Sequence, residues 1–134
     1  MIVDADGAIA GRLATKIAKE LLKGQSVIII NAEKAVITGN PDAIINRYKI
    51  KTERGDPNKG PFYPRQPDKL LRRVIRGMLP YKRPKGGAAF RRLQVFNGNP
   101  NNLKGEKMSK TIDDIECKYL TLKALGNKLG ARVD

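Results

Sequence analysis

The stretch MIVDADGAIAGRLATKIAKELLKGQSVIII, Met1 to Ile30, decides the fold class. It opens with "MIVDA", a short apolar segment of strand type. In "GRLATKIAKELLKG", Leu13, Ala14, Ile17, Ala18, Leu21 and Leu22 recur at helical spacing and share one face. Arg12, Lys16, Lys19 and Lys23 fall on the other face. Gly24 then offers a C-terminal cap. The run "SVIII" is continuously aliphatic and suits a strand buried on both faces. Strand, helix and buried strand in that order form the βαβ pattern of a parallel sheet.

The pattern continues downstream. Val36 and Ile37 form a short strand, and Gly39 a turn. Asn40 is a good N-cap, with Pro41 at the first helical position and Asp42 in the first turn. Ile44, Ile45 and Tyr48 mark the buried side of that helix. Residues 52–66, rich in proline, glycine and basic side chains, form a long loop, and such loops in small proteins are usually functional or disordered. Pro67 starts the helix "PDKLLRRVIRGML". At about 100° per residue, Leu70, Leu71, Val74, Ile75, Met78 and Leu79 fill its buried half. Lys69, Arg72, Arg73 and Arg76 fill the outward half. Pro80 ends the helix, "YKRPKGG" turns, "AAFRRL" is a short helix and "LQVF" a further strand. "NGNPNNLKGEK" is a polar loop. "TLKALGNKLG" is a short helix with Leu122, Leu125 and Leu129 inward. The expected fold is α/β: three layers, α/β/α, around a small, mostly parallel, four-stranded central sheet, with a long basic loop. With 134 residues, 1–134 reads as one domain.

Charge narrows the function. The net charge is +14, which costs self-repulsion in isolation and implies a polyanionic partner. Residues 1–46 hold five basic and five acidic side chains, while residues 47–92 hold fifteen basic and three acidic. Residues 93–134 hold seven and five. A general solubility charge would be spread along the chain; an excess confined to 47–92 reads as a binding surface, with nucleic acid the leading partner and an anionic membrane the second. Within it, "RGMLPYKRPKGGAAFRR", Arg76 to Arg92, carries six basic residues and no acidic one. The cations expected on phosphate are Arg54, Lys59 and Arg65 in the loop and Arg72, Arg73 and Arg76 on the helix. Lys82, Arg83 and Lys85 follow in the turn, and Arg91 and Arg92 face outward beyond it. Arginine suits this role because its planar fork grips phosphate oxygens in pairs. Gly86 and Gly87 would let the backbone approach a phosphate closely. Tyr63, beside Phe62 and flanked by Lys59 and Arg65, is a candidate for stacking on bases, as is Tyr81.

Other chemistries find little support. The chain has no histidine, which removes the commonest general base and metal ligand and excludes Ser-His-Asp and Cys-His sites. Cys117 is the sole cysteine, so neither an internal disulfide nor a cysteine metal cluster forms; it reads as a small, semi-buried residue. Three residues separate Gly7 from Gly11 and Arg12 follows, so neither the phosphate-loop nor the dinucleotide pattern is met. Asp113, Asp114 and Glu116 form an acidic cluster without the spacing of a calcium loop. No cofactor, metal, catalytic residue or small-molecule substrate is expected, and no homo-oligomer. The longest aliphatic run, Val27 to Ile30, is too short to span a bilayer. Asp4 and Asp6 stand where a secretory signal carries positive charge. A soluble, cytoplasmic protein without membrane contact is expected.

Several long segments, in order, resemble one known family. "DADGAIAGRLATKIAKELLKG" is similar to the opening of the large-subunit ribosomal protein L-thirteen family in its archaeal and eukaryotic form. "VIIINAEKAVITGN" is close to that family's most recognisable segment. "GPFYPRQPDKLLRRVIRGMLPYK" and "GGAAFRRLQVFNG" resemble its central basic block. The resemblance implies a three-layer α/β/α fold, binding to large-subunit ribosomal RNA during assembly, neighbouring ribosomal proteins alongside, and no catalytic activity. Two other functions stay open on the residues alone: an RNA- or nucleotide-acting enzyme on the βαβ core, and a free-standing RNA-binding translational regulator.

Overall fold

The βαβ unit forms where its periodicity places it. The computed structural model describes residues 1–53, 64–100, 102–107 and 117–131. Strand β1, Ile2–Asp4, is followed by helix α1, Ala10–Leu22, and strand β2, Val27–Ile30. The Asp4 carboxylate ends β1 by accepting from the Asp6 N–H and from Asn31 Nδ2, both at 3.0 Å. Helix α1 buries Ala10, Leu13, Ala14, Ile17, Ala18 and Leu21. Its C-terminus closes as a Schellman motif. Gly24, at φ +100°, donates to Leu21 O at 3.1 Å, and Gln25 donates to Glu20 O at 3.3 Å. The left-handed backbone at this position is why glycine stands there.

After a 3₁₀ turn at Ala32–Lys34 come β3, Val36–Thr38, and helix α2, Pro41–Glu53. Asn40 Oδ1 accepts from the Asp42 N–H at 2.9 Å, the expected capping contact. Helix α3 is Pro67–Gly77, α4 is Pro84–Arg91, and β4 is Leu93–Val95. Two short strands follow, β5 at Glu106–Lys107 and β6 at Tyr119–Thr121, and then helix α5, Leu122–Lys128. The Thr121 hydroxyl caps α5 by accepting from the Ala124 N–H at 3.2 Å.

The central sheet has four strands in the order β4-β2-β1-β5, and its pairings are parallel. With five helices about it, the architecture is the expected α/β plan and is consistent with three layers. Its membership differs from the simplest reading of the sequence. Strand β3 does not join this sheet; it pairs antiparallel with β6, while β5 takes the edge beside β1. Register aligns Val3, Ile29 and Val95 in one buried row. The next row holds Ile2 and Ile28, both half-buried, and Gln94, exposed. Strand β2 is thus buried at Val27 and Ile29 on one face and at Ile30 on the other, and departs from the expectation of its aliphatic run only at Ile28, which is half-buried. Leu13, Ile17, Leu21, Ile29, Leu70, Leu71, Ile75, Leu93 and Leu125 belong to one contiguous core cluster, with α1 against α3 and α4, and α3 against α5 and β4.

Three further expectations change. Met78 lies outside the core at 43 % exposure, because α3 ends at Gly77 and the wheel cannot be extended past the end of a helix; Leu79, one residue on, is buried. The basic turn is shorter than expected, since Pro84 already opens α4. Cys117 is exposed, at the start of the segment leading into β6.

Candidate nucleic-acid interface

Helix α3 is built by proline at its first position and by the buried set Leu70, Leu71 and Ile75. That burial fixes its rotation and turns Lys69, Arg72, Arg73 and Arg76 away from the core. Lys69 is exposed, but the three arginines are half-buried. Two of them lie on aromatic rings. Arg72 Cζ stands 4.4 Å from the Phe90 ring centroid, and its Nη1 reaches Leu93 O at 3.4 Å. Arg76 Cζ stands 4.4 Å from the Tyr81 ring centroid. Both distances lie within the range of cation–π attraction. Arg76 Nε is buried and has no hydrogen-bond partner among the described residues.

Between α3 and α4 lies a concavity of about 250 Å³, lined by Pro64, Lys69, Arg72, Arg73, Arg76 and Phe90. Among the described residues, four cations and no carboxylate line it. Pro64 and Phe90 are the members that the sequence does not single out, and Lys69 is placed by it on the outward half of the helix but not among the cations expected on phosphate. Lys69 could have been found from its spacing, three residues before Arg72 and seven before Arg76. Phe90 had no such signal, because its contact with Arg72 joins two helices.

The segment after α3 is tightly folded. The N–H groups of Arg83 and Gly87 donate to the carbonyls of Pro80 and Arg83, each at 2.9 Å. Gly86 is buried against the Pro80–Tyr81 peptide, and a Cβ there would overlap the Pro80 carbonyl. Its lack of a side chain serves this close backbone approach, which overturns the expectation that it admits a phosphate. Lys82 and Arg83 in the turn and Lys85 in the first turn of α4 are exposed, as is Arg91. Arg92 does not face outward as expected. Its Nη2 donates to Leu21 O at 2.6 Å, adding a charged donor to a carbonyl at the C-terminus of α1 that also accepts from the Gly24 N–H. Helix C-termini carry partial negative charge and favour cations, so this placement stabilises α1.

Arg65 is exposed, with Nη1 in the neighbourhood of Gly130 beyond α5. Arg54, Lys59 and Tyr63 lie outside the described residues, as do Phe62 and the acidic cluster of Asp113, Asp114 and Glu116.

A second cleft, of about 260 Å³, is lined by Asp6, Gly7, Glu33, Lys34, Val36, Tyr119, Thr121 and Lys123. Glu33 is its buried carboxylate, and its Oε2 is held by the Gly98 N–H at 2.6 Å. That contact anchors a loop. Gly7, ahead of α1, and Gly11, within it, form no phosphate cradle: Ala8, Ile9 and Ala10 are buried, and the Gly7 N–H donates to Lys34 O at 3.1 Å. No group of three His, Cys, Asp or Glu side chains that could hold a metal ion occurs among the described residues. No helix among them is long and apolar enough to cross a membrane.

Comparison with known proteins agrees with the resemblance seen in the segments. The chain is 49 % identical over 136 residues to a protein of Methanocaldococcus jannaschii named large ribosomal subunit protein uL13, covering 98 % of each chain. It is 45 % identical to the protein of that name in Archaeoglobus fulgidus, covering 98 % of this chain and 88 % of that one. The uL13 of Methanopyrus kandleri is 44 % identical, with 96 % and 86 % covered. These relatives are named as ribosomal proteins and not as enzymes, so the enzyme reading falls away. The sequence pattern described as Ribosomal protein L13 matches residues 1–102, which include the sheet strands β1, β2 and β4 and the whole basic turn. The chain therefore belongs to the ribosomal protein L13 family.

Proposed function

We propose that this chain is a structural constituent of the large ribosomal subunit in the cytoplasm. It binds large-subunit ribosomal RNA through the basic face of residues 47–92 and supports subunit assembly beside neighbouring ribosomal proteins. The observation that carries this is the concavity on α3, lined among the described residues by four cations and no carboxylate, in the segment that holds nearly all the excess charge. The names of the archaeal relatives support it.

The mechanism is folding support. The α/β core holds α3 and α4 rigidly, so cations from both helices and the turn between them meet RNA as one surface. RNA segments that repel each other are bridged by that surface. Phosphate and sugar contacts dominate, and the shape of the RNA is the target more than its sequence. Arg72, Arg73, Arg76, Lys82, Arg83, Lys85 and Arg91 serve on this face, with Arg65 at its border; Arg54, Lys59 and Tyr63 are assigned to it from the sequence alone. Arg92 serves the fold first, through Leu21 O. Sedimentation of a cell extract tests the proposal. Nearly all the protein should travel with large subunits, and a major free pool would favour a free-standing regulator instead.

A further inference from the structure

Stacking between helices turns part of this face into a site of defined geometry. We propose that the concavity between α3 and α4 is a socket for one phosphate group of the RNA backbone. Arg72 and Arg76 grip it, and Phe90 and Tyr81 are the positioning residues that hold those two guanidiniums in place. This inference rests on the RNA-binding reading above.

Three observations lead here. First, Arg72 and Arg76 stand one helical turn apart on α3, and each lies on a ring from a later segment, at 4.4 Å in both cases. A ring occupies the face of a guanidinium and leaves its N–H edge, the part that pairs with phosphate oxygens. A carboxylate partner would do the reverse, taking the edge and cancelling the charge. In Arg72 one position of the N–H edge, Nη1, also donates to Leu93 O at 3.4 Å, which leaves the others for phosphate. Second, the concavity at this place carries Lys69 and Arg73 besides, and no acidic side chain among the described residues. Its volume of about 250 Å³ lies below the range of ordinary small-molecule pockets, roughly 300–1,000 Å³, so it suits a group of a larger ligand better than a whole small ligand. Third, Arg76 Nε is buried without an acceptor among the described residues. A phosphate oxygen reaching into the concavity would give this donor an acceptor.

A long side chain loses rotamer freedom when it grips a ligand. Here the rings impose that loss during folding, and RNA meets forks that are already aligned. Helix α4 sets both rings at once. Phe90 is on α4, and Gly86 lets α4 press against the peptide that carries Tyr81.

The test uses the full chain and deproteinised large-subunit ribosomal RNA. Tyr81→Leu and Phe90→Leu remove one ring each and retain every cation. Each should weaken binding about two- to fivefold at fixed salt, the range of an exposed cation–π contact. The slope of log affinity against log salt should stay unchanged, since no charge is lost. Tyr81→Phe should bind as the unaltered chain does. Arg72→Ala should lower the slope by about 0.7–0.9, one phosphate contact. Tyr81 is 38 % exposed, so its variants retain the fold and decide the matter if Phe90→Leu does not. Leu variants that bind like the unaltered chain overturn the socket and leave the RNA reading standing. Equal loss in Tyr81→Phe and Tyr81→Leu also overturns it, since the hydroxyl and not the ring would then matter. Unchanged RNA affinity with failed incorporation into large subunits overturns it too, in favour of a carboxylate from a neighbouring protein. If the unaltered chain lacks tight, salt-steep binding, the RNA reading itself fails and the socket with it.

Discussion

Gly86→Ala and Gly87→Ala, one position apart in the same helix, should have opposite effects. In a helix interior alanine is favoured over glycine by about 1 kcal/mol, and both residues lie within α4. The surroundings differ. A Cβ on Gly86 would lie 2.8 Å from the Tyr81 backbone N and closer still to the Pro80 carbonyl. Backbone atoms of a tight turn cannot swing aside as a flexible side chain does. Overpacking of this kind typically costs about 1–3 kcal/mol, and here it acts on the main chain, so the upper end applies and exceeds the propensity gain. A Cβ on Gly87 meets Tyr81 O at 3.4 Å, the edge of ordinary contact. Gly87→Ala should therefore range from neutral to about 1 kcal/mol more stable. Urea unfolding of both variants, compared at equal m values, measures this. RNA titration adds a second reading, because displacing Pro80 and Tyr81 would disturb the ring on which Arg76 lies. Gly86→Ala should lose affinity, and Gly87→Ala should not. A Gly86→Ala protein as stable as the unaltered chain would refute the account of this turn.

Other perturbations separate the roles of neighbouring side chains. Arg92→Ala should destabilise the protein by about 1–2 kcal/mol, measured by urea unfolding, because a partly buried charged hydrogen bond to Leu21 O is lost; the salt slope of RNA binding should hardly move. Combined replacement of Lys82, Arg83 and Lys85 by alanine should do the converse. Stability should stay near that of the unaltered chain, since all three are exposed, while the salt slope falls by about 0.7–0.9 for each cation that meets phosphate. Glu33→Ala removes the acceptor for the Gly98 N–H and should cost about 1–3 kcal/mol in thermal or urea unfolding. Glu33→Gln, which retains an acceptor oxygen, should recover most of it.

Periodic burial was the legible part of this sequence. Leu13, Ile17 and Leu21 on α1, and Leu70, Leu71 and Ile75 on α3, repeat over whole turns, and every one of them is buried. Pairing was much less legible. Strand β5 is Glu106 and Lys107, two exposed charged residues that are strand only because they lie beside Val3 and Asp4, about a hundred positions earlier. No local pattern announces such a strand. Strand β6 is equally silent, and its partner β3 was visible as a strand without showing which sheet it would join.

The basic face divides along the same line. A helical wheel puts Arg72 and Arg76 opposite the core, but opposite the core is not yet in solvent, because Tyr81 and Phe90 arrive from later in the chain. Arg91 and Arg92 are adjacent and carry the same charge; one is exposed, and the other reaches across 71 positions to Leu21 O. The run from Arg76 to Arg92 thus holds six cations of three kinds. Lys82, Arg83, Lys85 and Arg91 are exposed, Arg76 lies on a ring, and Arg92 caps a helix. Counterion release follows the contacts made with phosphate and not the formal charge. A salt slope calculated from all six would therefore overstate what this run contributes, and the excess traces first to Arg92, the cation already engaged within the fold.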